Sequence, residues 1–200
     1  MGVDEAVAAL ERGELVLLPT DTVYGLCADA RNERAVRRIA EVKGRPEAMP
    51  MALLASDVDT ILAAVPELRA SEKLLVALLP GAYTLVLPNP AERFEWLAGA
   101  NPQAIGIRVP NLPALARAVL DQVALVAATS ANLHGQPDPA RLEDIPEEIA
   151  GAVAALVDAG ELPGSPSTVV ALTGSQPRVL REGSVPAAQA LAAIARAATE

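Results

Sequence analysis

Residues 15–26 read Leu-Val-Leu-Leu-Pro-Thr-Asp-Thr-Val-Tyr-Gly-Leu, an apolar run followed at once by a polar one. Residues 15–19 predict a buried strand, because a short apolar run without helical spacing is typical of a strand covered on both faces. Residues 20–27 then bring three hydroxyls and the carboxylate of Asp21, and we expect them to form a loop. Either a capped turn or a ligand-binding loop would explain so many polar groups.

Strand-like and helical segments interleave along the rest of the chain. Helical spacing of apolar residues predicts helices at residues 3–12, 34–43, 56–63, 66–79, 113–121, 140–150 and 186–198. Apolar runs predict strands at residues 51–54, 83–87, 104–109, 123–128, 155–158, 168–172 and 178–181. Because some of these strands follow each other directly, we expect an α/β fold with helices packed around a twisted mixed (parallel and antiparallel) sheet. No linker divides residues 1–200, which indicates one domain.

Three helix ends are marked by single residues. Asn32 is a predicted N-cap, because its side chain can accept a hydrogen bond from the first helical turn. Gly44 is expected to end the same helix, since Pro46 prevents the helix from continuing. Ser56 is the predicted N-cap of the next helix.

Composition limits the classes of function. The chain has 200 residues, is 52% hydrophobic and carries a formal net charge of −9, so it can form a large core but is a poor general binder of nucleic acid or membrane surfaces. A single cysteine, Cys27, excludes an intramolecular disulfide, and a single histidine, His134, excludes the two-histidine zinc signatures. No apolar run is long enough to span a bilayer and the acidic N-terminus is not a secretion signal, so we expect a cytoplasmic protein with no membrane association.

Five polar patches follow apolar runs, at the position where open α/β sheets bind ligands. They are residues 19–26, residues 43–46, Arg108, residues 128–132, and residues 164–168 together with 181–183. The common phosphate-loop, dinucleotide and serine-nucleophile motifs are absent from the sequence.

Two of these patches are cationic. Lys43 and Arg45 flank Gly44 at a helix end, which is either a solvated terminus or a rigid site for a polyphosphate. Arg108 ends an apolar strand, where either an internal carboxylate or a ligand carboxylate would pair with its guanidinium.

The order and spacing of the patches resemble the YrdC-like family, the threonylcarbamoyl-adenylate synthases. The matching motifs are P-T-[DE]-T-x-Y-G-L at residues 19–26, K-x-R at 43–45, P-G-x-x-T at 80–84, [VI]-R-x-P at 107–110, S-x-N at 130–132, S-T-V-V at 167–170 and L-R-x-G at 180–183. The resemblance covers about residues 5–185. It implies a single YrdC-like catalytic domain over residues 1–200, with an open fold, a ligand cleft on the concave face, a C-terminal helix at about 186–198, and no extra C-terminal domain.

The resemblance also implies an activity. Members of this family condense L-threonine, bicarbonate and ATP into threonylcarbamoyl-AMP and pyrophosphate, which makes them nucleotidyltransferases. The reaction is the first step of N6-threonylcarbamoyladenosine formation at position 37 of certain tRNAs. The implied partners are therefore the threonylcarbamoyl-transfer proteins and, indirectly, tRNA. Mg²⁺ is expected through the ATP phosphates, with no metal site made by the protein itself.

Site residues follow from the matching motif positions. The implied catalytic set, which faces the phosphates, is Lys43, Arg45, Ser130 and Asn132. The implied ATP-binding residues are Lys43, Arg45, Ala104, Ser130, Asp138 and Arg181, with Ala104 and Asp138 contributing backbone. The implied threonine-binding residues are Thr22, Arg108, Ala128 and Ser167, with Arg108 on the carboxylate and backbone near Ala128 lining the pocket.

Some residues depart from the family pattern. Met49 and Leu54 stand where many members have Asn and His, so their side chains cannot make the same contacts. Cys27 is expected to be a small buried thiol, and His134 an exposed turn residue.

Two other functions remain open at this point. One is the carbamoyl-adenylate-forming domain of hydrogenase-maturation carbamoyltransferases, although the acylphosphatase-like and zinc-finger segments of those proteins are missing here. The other is an RNA-binding or ribosome-assembly module, against which the net charge of −9 argues.

Overall fold

The computed structural model describes residues 2–46 and 48–198. Within them the strands are β1 Val16–Pro19, β2 Tyr24–Asp29, β3 Ala52–Ala55, β4 Tyr83–Pro88, β5 Ala104–Arg108, β6 Leu125–Ser130, β7 Ala155–Leu156, β8 Thr168–Ala171 and β9 Arg178–Arg181. The α-helices are α1 Val3–Glu11, α2 Glu33–Lys43, α3 Val58–Ala64, α4 Glu72–Leu78, α5 Ala114–Val123, α6 Glu147–Ala150 and α7 Ala187–Ala197. Short 3₁₀ helices cover Pro66–Ser71, Glu95–Leu97 and Leu142–Asp144.

All of these strands belong to one sheet, in the order β7-β1-β2-β6-β3-β5-β4-β8-β9. The pairs β1–β7, β3–β5 and β4–β8 are parallel, and the other neighbours are antiparallel. The predicted α/β fold with a mixed sheet is therefore confirmed. Pro19 pairs with Tyr24, and Gly25 pairs with Ser130. This register brings the polar turn at residues 20–23 beside the end of β6.

Apolar residues are buried on both faces of the sheet. Along β1, Val16 and Leu18 pack with helices α1 and α5, whereas Leu17 packs into the larger cluster on the opposite face. Successive strand residues point to opposite faces, so both sets must be apolar. Burying a leucine side chain contributes about 1.5–3 kcal/mol. Cys27 is 1% exposed in the cluster that packs against helices α1 and α5, here called the α1–α5 core, which confirms the predicted buried thiol.

Helix α2 ends as the sequence predicts. The Asn32 side chain accepts a hydrogen bond from the Ala35 backbone N–H at 3.1 Å. Gly44 adopts the left-handed conformation with φ = 60°, which glycine reaches without the steric cost of a Cβ atom. Because Lys43 is the last helical residue and is buried, its side chain is directed into the protein.

The predicted loop at residues 20–27 is wrong in its second half, where β2 begins at Tyr24. The residues after Tyr24 include Gly25, Cys27 and Ala28, which do not alternate between apolar and polar types. This strand is fixed by pairing with β1 on one side and β6 on the other. Tertiary pairing of this kind is not visible in the local pattern.

Three helix predictions need correction. The segment predicted as helical at 140–150 has only the 3₁₀ turn Leu142–Asp144 and the short α6, since Pro146 cannot donate a helical hydrogen bond. The predicted helix at 66–79 divides into a 3₁₀ helix and α4. The N-cap of α3 is Asp57 rather than Ser56, because the Asp57 carboxylate accepts from the Thr60 N–H at 2.6 Å. The longest α-helices in the described residues have 11 residues, and none of the described helices could span a bilayer.

Candidate active site

A cavity of about 310 Å³ lies against the sheet, and strands β2 to β6, β8 and β9 all contribute to its walls. Seven of the predicted site residues line it: Ala104, Arg108, Ala128, Ser130, Asp138, Ser167 and Arg181. Thr22, Lys43, Arg45 and Asn132 do not, but each makes a hydrogen bond to a residue that does. The structure thus brings all the predicted site residues together, seven at the cavity wall and four hydrogen-bonded to residues of that wall.

Arg108 joins β5 to the polar turn. Its Nη2 donates to Asp21 Oδ1 at 2.6 Å, to Thr22 Oγ1 at 2.6 Å and more weakly to Thr20 Oγ1 at 3.4 Å. Burial lowers the pKa of Arg108, and the Asp21 carboxylate partly offsets that effect. Of the two partners that the sequence leaves open for Arg108, the internal carboxylate is therefore present.

Arg108 also keeps a donor free. Its Nε is buried and has no hydrogen-bond partner among the described residues. The residue as a whole is 9% exposed. A buried unpaired donor costs about 1–3 kcal/mol, so a ligand oxygen at this position would be stabilised. The guanidinium fork is well matched to a carboxylate.

Lys43 is enclosed by the turn that contains Ser130 and Asn132. Its Nζ donates to the carbonyl oxygens of both residues at 2.5 Å, and to Asn132 Oδ1 at 3.0 Å. Lys43 is 4% exposed, and burial together with nearby Arg45 lowers its pKa to about 8, against the opposing effect of Asp138. The ammonium group therefore faces this turn and not the open cavity.

Arg45 lies on the same side of the site. Its Nη1 donates to Thr129 Oγ1 at 3.3 Å, and its Nη2 donates to the backbone carbonyl of Met49 at 2.8 Å. Arg45 Nε is buried, with no partner in the described part of the chain. Met49 thus holds the Arg45 side chain through its backbone carbonyl and not through its own side chain. Leu54, the other departure from the family pattern, packs in the α1–α5 core on the opposite face of the sheet.

Ser167 and Arg181 form the opposite wall. Arg181 Nη2 donates to the Ser167 carbonyl at 2.9 Å and lies 3.3 Å from Ser167 Oγ. The Ser167 hydroxyl also makes a 2.7 Å hydrogen bond with the hydroxyl of Thr84 on β4. This network holds a hydroxyl and a guanidinium side by side at the cavity wall.

Sequence reasoning missed several polar residues of the site. Thr20 and Asp21 contact Arg108, Thr129 contacts Arg45, and Thr84 contacts Ser167. Each lies within or directly beside a matched motif, and that position is the signal that could have identified it. His134 is exposed and does not line the cavity, as expected for a turn residue.

No group of three or more His, Cys, Asp or Glu side chains among residues 2–46 and 48–198 has the arrangement of a metal site. Asp138 is the one carboxylate among the described residues that line the cavity. The donors around the cavity are mostly hydroxyls, backbone groups and guanidinium groups, a set suited to binding anions.

Comparison with known proteins agrees with this geometry. The sequence model of the Sua5/YciO/YrdC family, described as "Telomere recombination", matches residues 8–183. A threonylcarbamoyl-AMP synthase of Bacillus subtilis is 36% identical over 92% of this chain, and a putative threonylcarbamoyl-AMP synthase of Mycobacterium tuberculosis is 38% identical over 92%. The crystal structure of Pyrococcus abyssi Sua5 complexed with L-threonine superposes with a TM-score of 0.87 at 32% identity, covering 96% of this chain.

The relatives differ in length. This chain spans 54% of the Bacillus protein and 57% of the Pyrococcus structure, but 85% of the Mycobacterium protein. The matched region contains the whole sheet from β1 to β9 and the cavity residues. Through this match over most of its length, the chain belongs to the Sua5/YciO/YrdC family.

Proposed function

We propose that this chain is a threonylcarbamoyl-AMP synthase that acts as one catalytic domain over residues 1–200. It condenses L-threonine, bicarbonate and ATP into threonylcarbamoyl-AMP and pyrophosphate, and is therefore a nucleotidyltransferase. The observation that carries the proposal is Arg108 in the cavity wall, whose Nη2 is held by the hydroxyls of Thr20 and Thr22 while its buried Nε has no partner among the described residues. The names of relatives that match 92% of this chain support the same activity.

Threonine is proposed to bind at the Arg108 end of the cavity. The free guanidinium edge of Arg108 takes the substrate carboxylate, and Thr22 fixes the guanidinium through its 2.6 Å hydrogen bond. Ser167 presents a hydroxyl whose position is set by Thr84. Backbone at Ala128 completes the pocket wall. A bound threonine places its amine inside the cavity, where it condenses with bicarbonate to give N-carboxy-threonine and water.

ATP is proposed to lie between Arg45 and the end of β6 on one wall and Arg181 of β9 on the opposite wall. A carboxylate oxygen of N-carboxy-threonine attacks the α-phosphorus, and the bond from that phosphorus to the pyrophosphate oxygen breaks. Negative charge develops on the α-phosphoryl oxygens and the departing pyrophosphate. The groups proposed to stabilise it are Arg45, Arg181, the Ser130 hydroxyl and the charged Lys43–Asn132 turn. Ala104 and Asp138 border the nucleotide.

Mg²⁺ is proposed to enter as part of the MgATP substrate, neutralising phosphate charge. The donors around the cavity fit this arrangement, because the ATP phosphates supply most of the oxygen ligands and the Asp138 carboxylate lines the same wall.

The intermediate before adenylation is a carbamate, which is short-lived in water, so enclosure in the cavity protects it. The product is proposed to pass to threonylcarbamoyl-transfer proteins in the cytoplasm, which use it to modify tRNA.

Two alternative functions, a carbamoyl-phosphate-dependent activity and a purely RNA-binding role, have less support, since the relatives named above are threonylcarbamoyl-AMP synthases.

The test is pyrophosphate release from ATP by the purified chain, with threonine and bicarbonate omitted in turn. We expect release to require both, and an AMP adduct of threonylcarbamate to accumulate. Release that does not depend on threonine would contradict the proposal. Adduct formation from carbamoyl phosphate without threonine would support the hydrogenase-maturation type of activity instead.

A further inference from the structure

The segment at residues 157–167, here called the strap, crosses a large part of the sheet. It leaves β7, which is at one edge, and enters β8, which is second from the other edge. It has no helix or strand of its own. Its last two residues, Pro166 and Ser167, line the cavity. The position of Ser167 therefore depends on how the strap is held.

Tyr24 holds the beginning of the strap. The Tyr24 side chain is fully buried, and its hydroxyl lies 2.9 Å from Asp158 Oδ1 and 2.8 Å from the Gly160 carbonyl oxygen. The same oxygen accepts a hydrogen bond from the Ala159 N–H at 3.1 Å. Burial raises the pKa of Tyr24, so the hydroxyl is a protonated donor at neutral pH. One phenol thus contacts three consecutive strap residues.

The Tyr24 backbone contacts a second part of the site. Its N–H donates to the Pro139 carbonyl at 3.1 Å, and its carbonyl accepts from the Ala131 N–H at 2.9 Å. These two partners directly follow Asp138 and Ser130, which line the cavity. Tyr24 therefore connects the polar turn before β2, the segment from β6 to residue 139, and the strap.

The middle of the strap is attached to the polar turn itself. The Gly164 N–H donates to the Thr22 carbonyl at 2.9 Å, and the Leu162 N–H donates to the Ala140 carbonyl at 2.9 Å. Thr22 in turn contacts Arg108 through its side chain. Movement of the strap would therefore disturb both groups that are proposed to hold threonine, Ser167 and the Thr22–Arg108 pair.

We propose that the Tyr24 hydroxyl is a positioning group that fixes the strap, so that Ser167 and the Thr22–Arg108 pair keep the geometry that binds threonine. Tyr24 does not line the cavity and so acts through these neighbours. The inference rests on the proposed function, because it assigns threonine to that end of the cavity. The proposed role makes one selective prediction: threonine binding depends on the Tyr24 phenol oxygen, whereas ATP binding and the chemical step do not.

The first test is Tyr24→Phe, which removes one oxygen and keeps the ring. We expect the KM for threonine to rise about tenfold, with kcat at saturating threonine and the KM for ATP changed less than about twofold, as for loss of a buried hydrogen bond. Amide exchange at Gly160, Leu162 and Gly164 is expected to accelerate in the ligand-free protein. The matched control is Tyr83→Phe, because the Tyr83 hydroxyl has no hydrogen-bond partner among the described residues, and this variant should behave as wild type.

The second test acts from the strap side. Asp158→Ala removes one partner of the Tyr24 hydroxyl on an exposed residue and is expected to raise the same KM. In the double variant with Tyr24→Phe the two effects should add less than fully, because both remove the hydrogen bond between the Tyr24 hydroxyl and Asp158, although Asp158 Oδ1 also accepts from the Gly160 N–H at 2.8 Å. If Tyr24→Phe does not fold, Asp158→Ala and its exchange profile decide the question.

Each failure has its own signature. A wild-type chain without threonine-dependent pyrophosphate release would contradict the proposed function. An active wild type together with an unchanged threonine KM in Tyr24→Phe would overturn the positioning role. So would equal increases in the KM for threonine and the KM for ATP, or fully additive effects in the double variant. Unchanged amide exchange of the strap would overturn the hydroxyl as its anchor whether or not the chain is active.

Discussion

The ammonium group of Lys43 contacts Asn132 twice, at 2.5 Å from the backbone carbonyl oxygen and 3.0 Å from the side-chain oxygen. The Ser130 hydroxyl donates to the same side-chain oxygen at 2.5 Å, and Asn132 Nδ2 donates to the Gln136 carbonyl at 2.6 Å. The orientation of the Asn132 amide is fixed by this network. The positive charge of Lys43 therefore organises the turn whose Ser130 lines the cavity.

Activity should fall above about pH 8. Burial and Arg45 lower the pKa of Lys43 from 10.5 to about 8, so the ammonium loses its proton within the working range of most assays. The neutral amine has only two N–H donors for three acceptors and no charge to stabilise the phosphates. We expect kcat/KM for ATP to fall with a single ionisation near that pH. A Lys43→Arg variant, whose guanidinium stays charged, should lack this ionisation even if its rate is lower.

Removing either of two cations proposed to stabilise the phosphate charge should reduce turnover strongly. Lys43→Ala and Arg45→Ala are each expected to lower kcat on the order of 10²-fold or more, the magnitude typical of groups that stabilise transition-state charge. Arg12→Ala is the control, since Arg12 is an exposed arginine paired with Glu14. Near-wild-type rates in both site variants would place the phosphates elsewhere.

Arg108→Ala should act mainly on threonine. The KM for threonine is expected to rise by about 10²-fold, because the proposed charge-assisted bond to the substrate carboxylate is lost and Asp21 loses its ion-pair partner. Arg108→Lys should restore little, since a single ammonium lacks the separate N–H groups with which a guanidinium can hold Asp21 and Thr22 through Nη2 and still present another N–H to the substrate carboxylate. Steady-state kinetics with threonine varied will measure both effects, and an unchanged KM would remove the assigned role.

Sequence patterns predicted the sheet class because strands such as β1 are apolar throughout, and that property is local. They failed at β2, because Gly25, Cys27 and Ala28 have weak strand preference and are held by neighbours distant in sequence. They failed again at residues 140–150, where Pro146 interrupts the helical spacing of the apolar residues.

Seven of the residues that line the cavity lie in or beside motifs and could be named from the sequence, whereas the place of Lys43 and Arg45 behind that lining could not. Lys43 and Arg45 carry charges that suggest a cavity-facing role, yet the partners of Lys43 are backbone carbonyls of Ser130 and Asn132. Because every residue has a backbone carbonyl, the identity of a residue does not indicate that its carbonyl accepts such a bond. The same reason explains why Met49, which serves Arg45 through its carbonyl, could not be assigned from its side chain.

Cys27 should resist modification in the folded protein. Its side chain is 1% exposed, and burial raises the pKa of the thiol to about 12, against a small opposing effect of Arg108. The reactive thiolate is therefore scarce and shielded at neutral pH. A thiol reagent is expected to label the protein only after denaturant is added. Rapid stoichiometric labelling of the native chain would contradict this expectation.

Gly183→Ala should damage the site from the end of the strap. A Cβ atom at Gly183 would lie 2.1 Å from the Pro166 carbonyl oxygen and 2.7 Å from that of Ser167, so backbone at the cavity wall must move. Overpacking of this kind costs about 1–3 kcal/mol, and we expect a lower melting temperature together with a raised KM for threonine. The control is Gly174→Ala, where the nearest atom to the added Cβ lies 3.8 Å away and no change is expected. Equal behaviour of the two variants would show that the close approach at Gly183 does not set the position of Ser167.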